Sequence, residues 1–163
     1  MVLNRVRIAK DKAEFVKSLT ESENKFGPFQ TYADVIIFAA MLGLKRKKRV
    51  AVETVSKREP APISMEVFMS RGYELAIKLM AFSEIQDTAI LSPFNLEADN
   101  QKTQILEEYA NGGLEILREE FRGCVDYTNQ ILLLLMAERD AEGRRLCHRA
   151  NSNTEEFDLT RFL

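Results

Sequence analysis

Between Val35 and Leu44 the chain runs through ten residues, VIIFAAMLGL, without one polar side chain. Ten residues are too few to cross a bilayer as a helix. A helix with no polar face must instead be covered on every side, by its own domain or by a second chain. Its start is marked by Thr31, a natural N-cap, with Asp34 three residues on in a capping-box position. Its end falls near Gly43, and five consecutive cations follow, Lys45, Arg46, Lys47, Lys48 and Arg49. One or two cations suffice to complement the negative end of a helix dipole, so this run exceeds what the helix requires.

Seven cations lie between Lys45 and Arg58 against the single carboxylate Glu53, a local charge of +6 in a chain whose net charge is −2. The positive charge is a localised patch. Lysine and arginine in such a patch neutralise phosphates and release counterions, whatever the base sequence. The candidate DNA-contacting set is therefore Lys45, Arg46, Lys47, Lys48 and Arg49, helped by Arg5, Arg7, Lys57 and Arg58. An alternative stays open, in which the patch pairs with the acidic fourth helix (Glu107, Glu108, Glu115, Glu119, Glu120) or with an acidic partner protein.

The fold class is mainly α, with a short N-terminal strand followed by about five helices. "RVRIAKDKAEFVKSL" opens with alternation that places Val6 and Ile8 on one side and Arg5 and Arg7 on the other. From Asp11, a plausible N-cap, Phe15 and Leu19 recur at helical spacing, and Gly27-Pro28 ends that helix. Val50–Val55 suggests a second strand. A third helix is expected from Ser64 to about Ser83, with a core stripe of Phe68, Leu75, Leu79 and Phe82. The fourth covers roughly 97–122, and Asn111-Gly112-Gly113 at its centre predicts a kink, a close helix crossing or a break, since each glycine costs about 1 kcal/mol relative to Ala. The last, about 125–139, would bury Ile131, Leu132, Leu134 and Leu135. The expected organisation is one helical domain over 1–140, comprising 1–58 (strand, helices and basic segment) and 63–140, with 141–163 as a C-terminal tail. The N-terminal order is also that of ribbon-helix-helix proteins, in which two chains pair their strands, although many α-rich domains begin the same way.

Little in the sequence suggests catalysis. The single histidine, His148, adjoins Cys147 in the tail, no His/Cys/carboxylate cluster has metal-ligand spacing, and Gly112-Gly113 lacks the Lys-Ser/Thr of a phosphate loop. The expectation is a non-enzyme without cofactor or metal. The stretch "VLNRVRIAKDK" has no apolar h-region and no cleavage site, so no signal peptide is expected. The cysteines Cys124 and Cys147 lack a C-x-x-C context, so a reduced, cytoplasmic protein without a membrane span is expected. The apolar second helix predicts a homo-oligomer.

"GPFQTYADVIIFAAMLGLKRKKRV", "PISMEVF" and above all "LEEYANGGLEILREE" resemble the small bacterial DNA phosphorothioation (Dnd) system-associated proteins of the fourth family, over residues 5 to about 136. The resemblance implies a place in gene neighbourhoods that replace a DNA phosphate oxygen by sulfur or restrict DNA lacking that mark. It brings no catalytic motif. The N-terminal portion is also similar in layout to the small DNA-binding subunit of the sulfur-modification complex. Three function classes follow. The first is an accessory protein that binds DNA through the basic segment. The second is an adaptor that joins larger Dnd-system proteins through the apolar second helix, the acidic fourth helix and the tail end "FDLTRFL". The third is a transcriptional regulator, if the N-terminal ribbon forms.

Overall fold

The computed structural model describes residues 4–20, 27–93 and 95–154, with the backbone alone for 147–154. Two compact units follow one another, Met1–Val125 and Asp126–Leu163. The first contains β1 (Arg5–Val6), α1 (Ala13–Ser18), α2 (Tyr32–Lys45), β2 (Ile63–Ser64), α3 (Met65–Ser70), α4 (Glu74–Ile85) and α5 (Leu96–Glu120), and the second contains α6 (Tyr127–Thr154). The chain is mainly helical. Among the described residues no helix is long and apolar enough to cross a membrane.

The alternation at the N-terminus holds: Val6 and Ile8 are buried, Arg5 and Arg7 are exposed. β1 pairs antiparallel with β2 of the same chain, Arg5 opposite Ser64 and Val6 opposite Ile63. That is a departure from the ribbon-helix-helix layout, where the corresponding strand pairs with its copy. The strand expected at Val50–Val55 shrinks to one bridge between Ala9 and Val55. Its first residues are held by α5 instead, because the Val50 amide donates to the Glu108 carbonyl at 3.0 Å.

Thr31 and Asp34 form the capping box. The Thr31 amide donates to Asp34 Oδ2 at 3.0 Å, and the Asp34 amide donates to Thr31 Oγ1 at 3.4 Å. Of the apolar run that follows, only Met41 is exposed. α2 packs along α5, so the cover that pointed to an oligomer comes from within the chain. α5 runs unbroken through Asn111-Gly112-Gly113, and of the three outcomes expected there the close crossing is the one realised. A Cβ on Gly113 would collide with the Ala39 carbonyl oxygen, one on Gly43 with that of Tyr109, and one on Gly112 with that of Lys48. The two helices touch backbone to backbone.

The single third helix is two. Gly72, at φ +83°, breaks it between α3 and α4, and the helical phase set by Phe68 does not carry across the break. Phe68 is buried as expected, but α4 buries Ile77, Met80 and Ala81, while Leu75, at 67% exposure, Leu79, at 57%, and Phe82 face outward. In the second unit α6 continues to Thr154, well past the expected end at 139. Ile131 and Leu134 are buried there, whereas Leu132 and Leu135 are exposed. The tail end "FDLTRFL" and the side chains of Cys147 and His148 lie outside the described residues.

Gly113→Ala is expected to cost about 3 kcal/mol, the upper end for overpacking, because the opposing atom is backbone and cannot rotate away. Gly143 in α6 has open space around its Cβ position, so Gly143→Ala should stabilise, by up to about 1 kcal/mol of helix propensity. Urea unfolding followed by circular dichroism measures both. A Gly113→Ala midpoint equal to wild type would contradict the close crossing.

Candidate functional site: the basic segment and its acidic cradle

The path of the basic segment is fixed before its side chains are considered. α2 ends with Arg46 N–H donating to Leu42 O and Lys48 N–H donating to Gly43 O, both at 2.9 Å. Lys47 takes a left-handed conformation, φ +53°, which ends the helix and turns the chain back. The reversal lays residues 48–51 along α5. Gly112, lacking a side chain, admits the Lys48 carbonyl. Next to it, the Asn111 side-chain amide donates to Val50 O at 3.2 Å and to Ala51 O at 3.0 Å. A mid-helix asparagine thus supplies hydrogen bonds to a segment that has no strand partner of its own.

The charged side chains then meet carboxylates. Arg49 reaches Glu108 through Nε and Glu84 Oε1 through Nη1, the latter at 2.7 Å, and its guanidinium lies 5.8 Å from the centre of the Tyr109 ring. The Tyr109 hydroxyl donates to the other oxygen of Glu84 at 2.6 Å. Lys48 Nζ is 3.2 Å from Glu115 Oε2, and the buried Lys12 takes the second oxygen of that carboxylate at 3.3 Å. Arg46 pairs with Glu120 at 3.6 Å. Two turns before Glu115 on α5, Glu107 receives the Arg7 backbone amide at 2.7 Å and its Nη2 at 2.8 Å. The Glu107 side chain is only 3% exposed.

The electrostatics of this cluster follow from those bonds. The hydrogen bond from Tyr109, with the charge of Arg49, holds the Glu84 carboxyl below the usual carboxylate range. Burial and the same bond push the Tyr109 phenol up to about 12. Burial opposes ionisation of Glu115, but hydrogen bonds from Lys48 and Lys12 outweigh it and keep this carboxyl low as well. Burial opposes the charge of Arg49, and its bonds to Glu108 and Glu84 overcome that and raise its pKa. General acid–base work needs a group that titrates near the operating pH, and Glu84 and Tyr109 are moved in opposite directions away from it. Chemically the arrangement is a clamp.

The nine candidate DNA-contacting residues do not form one surface. Arg7, Lys48 and Arg49 are held by carboxylates of α4 and α5. Lys45, Arg46 and Lys47 are exposed around the turn that ends α2, and Arg5 is exposed on the ribbon. Lys57 and Arg58 line a separate hollow with Lys10, Glu14 and Glu59. Of the residues that build the clamp, Glu84, Tyr109 and Asn111 were absent from the sequence-based set. The signal for Tyr109 and Asn111 was the block "EEYANGGLEIL" itself, in which Glu108, Tyr109, Asn111, Gly112, Gly113 and Glu115 contact α2 or the basic segment.

A family model described as DNA sulphur modification system-associated protein 4 matches residues 5–162. The match includes most of the stretch expected to be a tail. No curated protein and no solved structure matches the chain.

Arg49→Ala should destabilise the fold by about 1–3 kcal/mol, between the small worth of an exposed pair and the larger loss when a buried carboxylate is left alone. The pH dependence has a definite sign. Glu84 and Glu115 lie below their ordinary 4.5 in the fold, and Asp34 lies below its ordinary 3.8 because Arg71, Tyr73 and Thr31 outweigh its burial. The stability they contribute is present above those ordinary values and is lost as pH falls through and below them. Thermal melts from pH 7 to pH 3 should show the wild-type midpoint falling below about pH 4.5, with a shallower fall in Arg49→Ala. Parallel curves would contradict the clamp.

Proposed function

Starting from the fact that this chain belongs to the DNA sulphur modification system-associated protein 4 family, we propose that it is a non-catalytic adaptor that holds other proteins of that system. The observation that carries this reading is the outer face of α4, where Leu75, Leu79 and Phe82 recur at i, i+4 and i+7 and stay exposed. Apolar side chains aligned on one exposed helix face are a common mark of a protein-binding surface. Three of the nine candidate DNA-contacting cations, Arg7, Lys48 and Arg49, are at the same time committed to internal carboxylates. A phosphate that recruited them would have to displace Glu107, Glu115 or Glu84, which removes much of the gain from counterion release.

A second reading keeps DNA as the ligand, on one observation: Lys45, Arg46 and Lys47 are exposed around the end of α2, with Arg46 also paired to Glu120. This smaller set would make at most three phosphate contacts, and the slope of log K against log salt would be no steeper than about −2.7 at −0.9 per phosphate.

Co-expression of the tagged chain with the other proteins of its sulphur modification system, followed by affinity purification, tests the adaptor. Leu75→Glu/Leu79→Glu, placed on an exposed face, should leave the fold intact and reduce partner retention at least tenfold, a change of about 1.4 kcal/mol. Retention of no system protein by wild type, or equal retention by the variant, would overturn it. A gel shift in which Lys45→Gln/Arg46→Gln/Lys47→Gln loses duplex affinity would favour the DNA reading.

A further inference from the structure

A hollow of about 530 Å³ lies between α3, α4, the start of α5 and the β-ribbon, apart from the clamp and from the exposed cations. Its apolar wall is Met65, Met69, Ile77 and Leu96. The volume falls in the range of roughly 300–1,000 Å³ typical of ligand pockets, which pair an apolar lining with a few placed polar groups. We infer that it is a docking pocket for a segment of a partner protein that carries an apolar anchor side chain next to a lysine or arginine. This inference rests on the adaptor reading and names the chemistry of the partner.

Three observations specify the occupant. The first is charge. Two rim pairs neutralise themselves, Lys78 with Glu74 and Lys102 with Asp99, each at 2.6 Å. Glu66 has no ion-pair partner among the described residues and is exposed, so the rim offers one negative charge to a cation. The second is Ser64. It stands at the N-cap position of α3, but its side chain makes no capping bond. Its Oγ is buried without a hydrogen-bond partner, and the residue lines the hollow. A buried hydroxyl left unpaired is costly, and a turn of the Ser64 side chain toward the hollow would let a backbone group of a bound segment satisfy it. The third is continuity. Met69 and Leu96 line the hollow and also stand 48% and 57% exposed, so the apolar surface extends over the lip. A small metabolite confined to the hollow would leave that lip bare, whereas a polypeptide covers both. Methionine is suited to such a wall, being unbranched and able to adapt to different anchor shapes.

The test uses the full chain and labelled 12-residue peptides tiling the other proteins of the same sulphur modification system, together with peptides tiling this chain, read by fluorescence anisotropy. Tiles with Leu, Met or Phe beside Lys or Arg should bind. Met69→Glu and Leu96→Glu should each weaken them at least tenfold. Glu66→Lys should weaken the same tiles several-fold, at a melting temperature equal to wild type. Binding confined to tiles of this chain would make the occupant a second copy and overturn the proposal. So would the absence of any binding tile, or binding indifferent to Met69→Glu. If affinity purification retains a system protein while Met69→Glu leaves every tile unaffected, the pocket inference fails and the adaptor stands. If neither purification nor tiling yields a partner, both fall.

Discussion

The contact on which the rest depends is the one between the backbones of α2 and α5. Helices normally keep 8–10 Å between their axes because side chains fill the space. Here Gly113 faces the Ala39 carbonyl and Gly43 faces that of Tyr109, with no Cβ to hold them apart. The small residues Ala39 and Ala40 on the opposing helix are fully buried, which is consistent with the same close approach. An apolar helix without a polar face is thereby covered inside a chain of ordinary size. Gly43 also sits two residues before the end of α2, so the turn that follows begins already against α5. Gly112 then lets the Lys48 carbonyl settle on that helix. Asn111, Gly112 and Gly113 are consecutive, yet they serve three separate contacts.

The electrostatics follow from that geometry. Once the segment after α2 lies along α5, its cations stand within reach of Glu108, Glu115 and Glu120, and the pairs form. The division of labour follows side-chain shape. Arg49 bridges two carboxylates and lies over an aromatic ring, and Arg7 grips both oxygens of Glu107, tasks that suit a planar fork of donors. The ammonium groups of Lys12 and Lys48 share the Glu115 carboxylate, and Lys12 also reaches Asp11 at 3.2 Å. Glu107 is the most deeply placed carboxylate of this cluster, and it receives both a backbone amide and a guanidinium. Burial of an anion is tolerable only with that degree of compensation.

The sequence made some of this legible and hid the rest for definite reasons. The capping box of α2 and the alternation of Val6 and Ile8 are local patterns, and local patterns survived. The glycines on the fourth helix announced a special contact, and the close crossing was one of three outcomes named for them. What did not survive depended on phase or on partners. Leu75, Leu79 and Phe82 form a flawless helical stripe, so they suggested a core; the left-handed Gly72 reset the phase, and α4 buries Ile77, Met80 and Ala81 instead. A period identifies a face but cannot say which side of it is wet. The run Lys45–Arg49 was likewise open to two readings, an outward patch or a partner for the acidic fourth helix. Only the reversal at Lys47 decides which way Lys48 and Arg49 turn. Glu84 was beyond reach, since its role exists only when α4 and α5 are side by side, and for Tyr109 the block "EEYANGGLEIL" marked the residue but not its partner.

The same pairing changes what the charge asymmetry of this chain means. A block of +6 in a chain of net −2 suggests a field that could steer a polyanion from a distance. Opposite charges about 3 Å apart, however, look like a dipole from one Debye length away, about 8 Å at physiological salt. The exterior field of Arg7, Lys48 and Arg49 is therefore much weaker than their number implies. On the adaptor reading, recognition is left to forces that act at contact. Apolar side chains on α4 and around the hollow beside α3 gain free energy only when water is expelled from them, and that requires a fitting surface. On that reading, shape and apolar burial would set the affinity, and complementary charge at the rim would select among partners. On the adaptor reading, cations paired with carboxylates of α4 and α5 and leucines left outward on α4 favour recognition at close range by another protein.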